Sequence, residues 1–328
     1  MYGLLLGGIG AFVVSAILGI FLIPVLRRLK FGQEIRDEGP AWHAKKSGTP
    51  TMGGFIFIFA IVIMAAICYM VGVLTGLDMP CDSAMFLIMV VALVYGVIGF
   101  IDDYIKVILK RNLGLTAKQK FLLQLIAAIG FVCWAVYGEG ISTEIRIPFT
   151  SLAFDIGIFF IPLSVLVILA TVNSVNLTDG LDGLATSITI VVALFYMLFA
   201  EFGEFPNQTV ALFAAMLVGS LLGFLIYNKY PAKVFMGDTG SLFLGGAISG
   251  MAIIMEQPLA LIIIGIVYVI ESLSVILQVI SFKTTGKRIF KMSPIHHHFE
   301  MCGWKETKIV AVFTGVTLAV CALMFFFG

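Results

Sequence analysis

The chain has 328 residues, 60% of them hydrophobic and only 12% charged, with a formal net charge of +1 and a mean hydropathy of +1.10. That composition excludes an ordinary soluble domain and offers no basic excess for a nucleic-acid partner. Its apolar runs are unbroken rather than alternating and last about 20 residues, the length of a bilayer-crossing helix, so helices rather than barrel strands are expected.

Ten spans are predicted, at 2–26, 52–76, 84–102, 120–138, 156–176, 183–200, 208–228, 239–256, 258–281 and 308–327. The first has Arg27, Arg28 and Lys30 behind it, which reads as a retained helix rather than a cleavable leader. The odd-numbered connections and adjoining helix ends hold every Lys and Arg except Arg146. That bias places those connections in the cytoplasm and both termini outside. Between spans four and five, Glu144, Ile145, Arg146 and Ile147 alternate before Pro148, predicting a small external β-hairpin within 141–149. The five cysteines show no paired spacing, the two Asn-x-Thr matches are discounted as chance, and no repeat is visible. One integral membrane domain, 1–328, is expected.

Unusual polar residues gather in the cytoplasmic connections. Asp102-Asp103 closes span three, where the helix dipole disfavours negative charge. Adjacent helical residues point about 100° apart, so the two carboxylates divide their roles or are simply solvated. Lys106 occupies the place where a DDxxD motif would need a third acid. Next comes Asn173-Ser-Val-Asn-Leu-Thr-Asp-Gly-Leu-Asp-Gly183, at a junction of two spans. Asn173 and Asn176 share a helical face, and Asp179 and Asp182 repeat the spacing. Gly180 and Gly183 permit close backbone approach to a ligand, while Thr178, Asp179 or Asp182 as an N-cap is the plainer alternative. Met236-Gly-Asp-Thr-Gly-Ser241 opens span eight. Asp238 there suits a hard cation, Thr239 or Ser241 suits phosphate oxygens, and capping is again the alternative.

Pro294-Ile-His-His-His-Phe299 holds three of the four histidines. An extended segment would turn His296 and His298 one way and His297 the other. No second cluster completes a zinc site, so contacts to sugar or diphosphate are favoured. Lys45 and Lys46 precede a flexible Ser-Gly-Thr-Pro-Thr run, with a membrane-surface role as the alternative. His43 reads as structural. Glu271 lies deep in span nine, either marking a break or pairing with a neighbouring helix.

Lys46–Gly54, Asp102-Asp103, Asn173–Ala185, Phe235–Leu242 and Pro294–Phe299 together resemble the signatures of the phospho-N-acetylmuramoyl-pentapeptide transferases, over essentially the whole chain. That family sits within the polyprenyl-phosphate N-acetylhexosamine-1-phosphate transferases, and the triple histidine points to the muramoyl branch. The resemblance implies a Mg²⁺-dependent reaction of UDP-MurNAc-pentapeptide with undecaprenyl phosphate in the bacterial cytoplasmic membrane, yielding lipid I and UMP. It further implies a homodimer among membrane lipids, with the site facing the cytoplasm. Asp238 would hold Mg²⁺. Asp102 would deprotonate or orient the lipid phosphate with support from Asp103, and His296 would complete the catalytic set. Lys46, Thr51, Asn173, Asn176, Asp179, Gly180, Leu181 and Asp182 would line the uridine and phosphate region. Lys106 and Lys118 would hold phosphates, and His297 and His298 would stand near the sugar phosphate. A GlcNAc-1-phosphate transferase is the sister alternative. A transporter, which would place its ionisable groups at mid-bilayer between repeated halves, is the different-class one.

Overall fold

The structure, a computed structural model, describes residues 2–29, 48–107, 114–150 and 152–328. Lys46, with His43 and Lys45, falls outside the described residues. Twelve helices follow in order: α1 (Tyr2–Arg28), α2 (Gly54–Thr75), α3 (Ser83–Val107), α4 (Ala117–Tyr137), α5 (Phe160–Thr178), α6 (Leu184–Phe202), α7 (Gln208–Asn228), α8 (Gly237–Ile254), α9 (Pro258–Ile264), α10 (Ile266–Thr285), α11 (Ile295–Met301) and α12 (Glu306–Phe327). All but α9 and α11 are long and apolar enough to cross a bilayer, which makes ten spanning helices among the described residues.

Two local features depart from the sequence expectation. Span nine is broken: Pro258 opens α9, Gly265 ends it after 7 residues, and α10 restarts at Ile266. Glu271 therefore lies within a continuous helix, not at the break. The expected hairpin does join α4 to α5, but its return strand lies beyond residue 149. Strand β1 (Glu144–Arg146) pairs antiparallel with β2 (Ala153–Asp155), Glu144 opposite Asp155.

Packing explains the composition of α8. Every residue from 239 to 254 is buried, so this helix is surrounded by protein and has no need of large apolar side chains. Its glycines let neighbouring backbones approach. A Cβ on Gly54 would lie 2.5 Å from the Gly240 Cα, and one on Gly245 would lie 2.5 Å from the Val172 Cα. Lipid-facing surfaces are the reverse, with Ile9, Ile20 and Phe21 of α1 and Phe121, Leu122 and Ile126 of α4 all exposed.

Many polar groups inside the bundle pair with one another, since water is scarce there. The Ser15 hydroxyl donates to the Ser220 carbonyl at 2.7 Å, Thr186 donates to Asn228 at 2.7 Å, and the Tyr95 hydroxyl donates to the Gln124 carbonyl at 2.8 Å. A capping box between Thr116 and Gln119 starts α4. Because the helices alternate in direction, the C-termini of α3 and α5 meet the N-termini of α2, α4 and α8 at one end of the bundle. The β-hairpin closes the other.

Candidate active site

The site is built on the first turn of α8. Gly53 and Gly54 donate backbone hydrogen bonds to the Phe235 and Met236 carbonyls at 2.8 and 3.0 Å, which ties the start of α2 to the approach to α8. Gly237 then takes a left-handed φ of 71°, and Asp238 follows as the first acidic residue of the helix.

Two lysines converge on Asp238. Its Oδ2 lies 2.8 Å from Lys106 Nζ and 2.9 Å from Lys120 Nζ, and its Oδ1 accepts from Asn176 Nδ2 at 2.8 Å. Lys106 also reaches Asp102 Oδ2 at 2.6 Å, so one ammonium bridges the two carboxylates. The second Asp102 oxygen accepts from the Leu115 backbone at 2.7 Å. Asp238 and Lys120 keep 16% and 18% of their side-chain surface exposed, and Lys106 33%, so water and solutes reach this side of the cluster.

Asp103 behaves differently from its neighbour. It is buried, and it accepts from the Asp238 N–H at 3.1 Å, the Thr239 N–H at 2.9 Å and the Thr239 hydroxyl at 2.7 Å. A carboxylate on α3 thus caps α8, satisfying N–H groups that no residue of α8 itself could reach. With both oxygens engaged, Asp103 braces Asp238. The Thr239 and Ser241 hydroxyls, expected to meet phosphate, are likewise occupied: Ser241 donates to the Gly237 carbonyl at 3.1 Å and accepts from Asn176 at 2.8 Å.

The junction after α5 supplies the adjoining wall. Asn173 turns away from the carboxylates, donating to Gln124 Oε1 at 2.9 Å and the Leu169 carbonyl at 2.8 Å, and so fixes α5 against α4. Burial, and then the carboxylates of Asp238, Asp103 and Asp182, hold the Asp179 carboxyl well above the usual carboxylate range. Leu181 and Asp182 are buried. The N-cap of α6 is Gly183 rather than Asp182. The Asp182 Oδ2 accepts from the Ala232 N–H at 2.8 Å, binding the segment after α7. Thr51 is buried against Gly237.

A family model described as glycosyl transferase family 4 matches residues 85–256. The phospho-N-acetylmuramoyl-pentapeptide-transferase of Halalkalibacterium halodurans is 50% identical over 318 residues, covering 96% of this chain and 94% of the relative. That of Bacillus subtilis strain 168 is also 50% identical, covering 94% and 93%. That of Clostridium perfringens strain 13 is 51% identical, covering 96% and 95%. The chain belongs to the phospho-N-acetylmuramoyl-pentapeptide-transferase family.

The remaining residues expected from that family are placed as follows. Lys118 is exposed on the outer side of α4, and Lys120 stands in the cluster instead. Two residues apart on a helix, their side chains point about 200° apart, so only one can face the site. Lys120 was visible in the sequence only as one more cytoplasmic charge. The histidine segment is helical, forming α11, so its three rings fan out at helical spacing. His297 pairs with Glu300 at 2.7 Å, while His298 Nδ1 accepts from the Lys291 N–H at 3.1 Å. His296 has 0% exposure and no surface on which to touch a substrate. It lies beside Glu271, Nδ1 to Oε2 3.0 Å.

Proposed function

We propose that the chain transfers phospho-MurNAc-pentapeptide from UDP-MurNAc-pentapeptide to undecaprenyl phosphate, releasing UMP and forming the lipid-linked diphosphate. What carries the reading is the convergence of Asp238, Asp102, Lys106 and Lys120 at the end of an apolar bundle. Charge-neutralising groups for a diphosphate stand there, where a lipid headgroup can arrive from the membrane. By the charge bias of the connections, this end faces the cytoplasm of a bacterial inner membrane.

An oxygen of the lipid phosphate attacks the phosphorus bonded to the sugar. The bond from that phosphorus to the bridging oxygen breaks, and its electrons leave with UMP. Near neutral pH the attacking phosphate is already largely ionised, so no strong base is required. Both Asp102 oxygens are engaged, which suits orienting Lys106 better than removing a proton. Phosphoryl transfer depends mainly on alignment and charge compensation, and Lys106 and Lys120 bring two positive charges to the reacting diphosphate. Asn176 and the brace from Asp103 fix the Asp238 carboxylate between them.

Mg²⁺ fits the same residues. The Lys106 ammonium already bridges Asp102 and Asp238 at 2.6 and 2.8 Å, which marks the gap between them as a cation position. Mg²⁺ ordinarily takes one or two carboxylates and completes its shell with water and substrate phosphates. Asp238, with Asp102 beside it, would hold the ion, and when bound it polarises the phosphoryl oxygens.

The test is UMP release by purified protein with undecaprenyl phosphate and Mg²⁺, offered UDP-MurNAc-pentapeptide or UDP-GlcNAc. Release from the muramoyl donor alone, abolished by Asp238→Asn, is the expected result. Release only from UDP-GlcNAc would refute the substrate, and a phosphorylated aspartate trapped without acceptor would refute direct attack.

A further inference from the structure

Glu271 and His296 form a close pair of ionisable side chains sealed in the bundle that no step above uses. Each is 0% exposed, with the carboxylate 3.0 Å from the ring Nδ1. The contact is close without being aligned as a hydrogen bond, and neither side chain has another hydrogen-bond partner among the described residues. Ionisable groups within spanning helices are costly and persist where they serve a site. The far edge of the His296 ring abuts Gly180: a Cβ there would fall on Nε2, with Cε1 at 2.7 Å. Gly180 follows Asp179 directly and stands four residues after Asn176, whose amide holds Asp238. A second link joins the same elements, the 2.6 Å hydrogen bond between Ser174 of α5 and Ser272 of α10.

We propose that Glu271 is a positioning residue for the reaction, acting through His296 to set the backbone of the junction that carries Asn176 to Asp182. The inference rests on the transferase reading above. Glu271, in contact with Nδ1 on one edge of the ring, keeps the opposite edge against Gly180. The ring is a wedge under Gly180, a place where only glycine leaves room for it. The junction in turn sets where Asn176 presents Asp238. Contact therefore runs from the lipid-embedded α10, through α11 and the junction, to the cation cluster. Positioning of this kind is sensitive, since displacing reacting groups by about 1 Å costs about 100-fold in rate.

The experiment uses full-length protein in detergent, UDP-MurNAc-pentapeptide and undecaprenyl phosphate, with Glu271→Gln, Glu271→Asp, Gly180→Ala and the Glu271→Gln/Gly180→Ala pair. Glu271→Gln should lower kcat by about 100-fold, while Glu271→Asp, keeping the carboxyl group, recovers about tenfold of that loss. Gly180→Ala displaces the same ring, so the pair should be no worse than its poorer single variant. Melting temperatures of the active variants are followed in parallel, because a purely structural pair would lower melting and leave the kcat of the folded fraction alone. Wild-type kcat in folded Glu271→Gln, or losses that multiply in the pair, would overturn the proposal. Should Glu271→Gln not fold, the cycle is run with Glu271→Asp and judged by the same multiplication. A wild-type protein inactive with every donor would instead refute the transferase reading, leaving the two failures distinguishable.

Discussion

Gly237→Ala probes the joint between α3 and α8 most directly. At φ 71° an alanine carries the left-handed penalty, roughly 1–2 kcal/mol. Its Cβ would also stand 2.5 Å from Asp103 Oδ2 and 2.7 Å from Thr51 Oγ1. Relief requires the Asp103 carboxylate to move, and that carboxylate holds the Asp238 and Thr239 N–H groups. Leaving one of those buried donors without its acceptor costs roughly 1–3 kcal/mol. The sum is roughly 2–5 kcal/mol in stability, with a drop of about 100-fold in turnover if Asp238 shifts by about 1 Å. Gly286→Ala is the control, because its φ is also left-handed, at 70°, yet a Cβ there meets nothing within 4 Å. It should show the conformational penalty alone and turn over normally. UMP release and thermal unfolding of the two variants, measured side by side in one detergent, separate strain from collision. If Gly237→Ala melts and turns over like Gly286→Ala, Asp103 does not govern the placement of Asp238.

Two further outcomes follow from the site. Lys120→Ala should reduce kcat by about 100- to 1,000-fold, the cost of removing one preorganised donor from developing charge, whereas Lys118→Ala on the exposed side should stay within roughly twofold. Equal losses in steady-state UMP release would contradict the register of α4. Asp179 keeps a proton in the folded protein at pH values where the unfolded chain has released it. Its contribution to stability is therefore complete below the unfolded pKa and lost as pH rises through the higher folded pKa. Asparagine is neutral throughout, so Asp179→Asn should gain in melting temperature relative to wild type as pH is raised from about 5 to 8. A difference between the two that does not vary with pH would show that Asp179 is not held neutral.

Most of the bundle was legible because bilayer length and unbroken hydropathy leave little freedom. Even α8 could be placed, although its glycines and serines dilute the apolar signal. The break at Gly265 was hidden because the residues on both sides are equally apolar, and a single glycine between them does not declare whether a helix stops or continues. In the site, Asp238 and Asn176 stood out because amides and carboxylates are costly at a bilayer and must be explained. Lys120 did not, since the start of α4 sets which of two nearby lysines faces inward, and a shift of two residues reverses the answer. The function of Asp103 was equally out of reach, because a cap supplied by another helix leaves no local spacing to read. The burial of His296 was hidden for a related reason: a short helix, not an extended strand, turned one histidine into the interior and left the other two beside it.

Because residues 239–254 of α8 are enclosed by protein, the helix that carries Asp238 has almost no boundary with lipid. Bilayers that are thicker or thinner than the bundle act on the tilt of the peripheral helices, whose apolar sides meet the acyl chains. The carboxylate end of α8 is referenced to α2, α3 and α5 instead, through backbone contacts and the Asp103 cap. Most of the contacts that place the reacting end are thus made to protein and not to acyl chains. A catalyst so arranged can work at a lipid surface while keeping its charged groups in a frame that the lipid does not set.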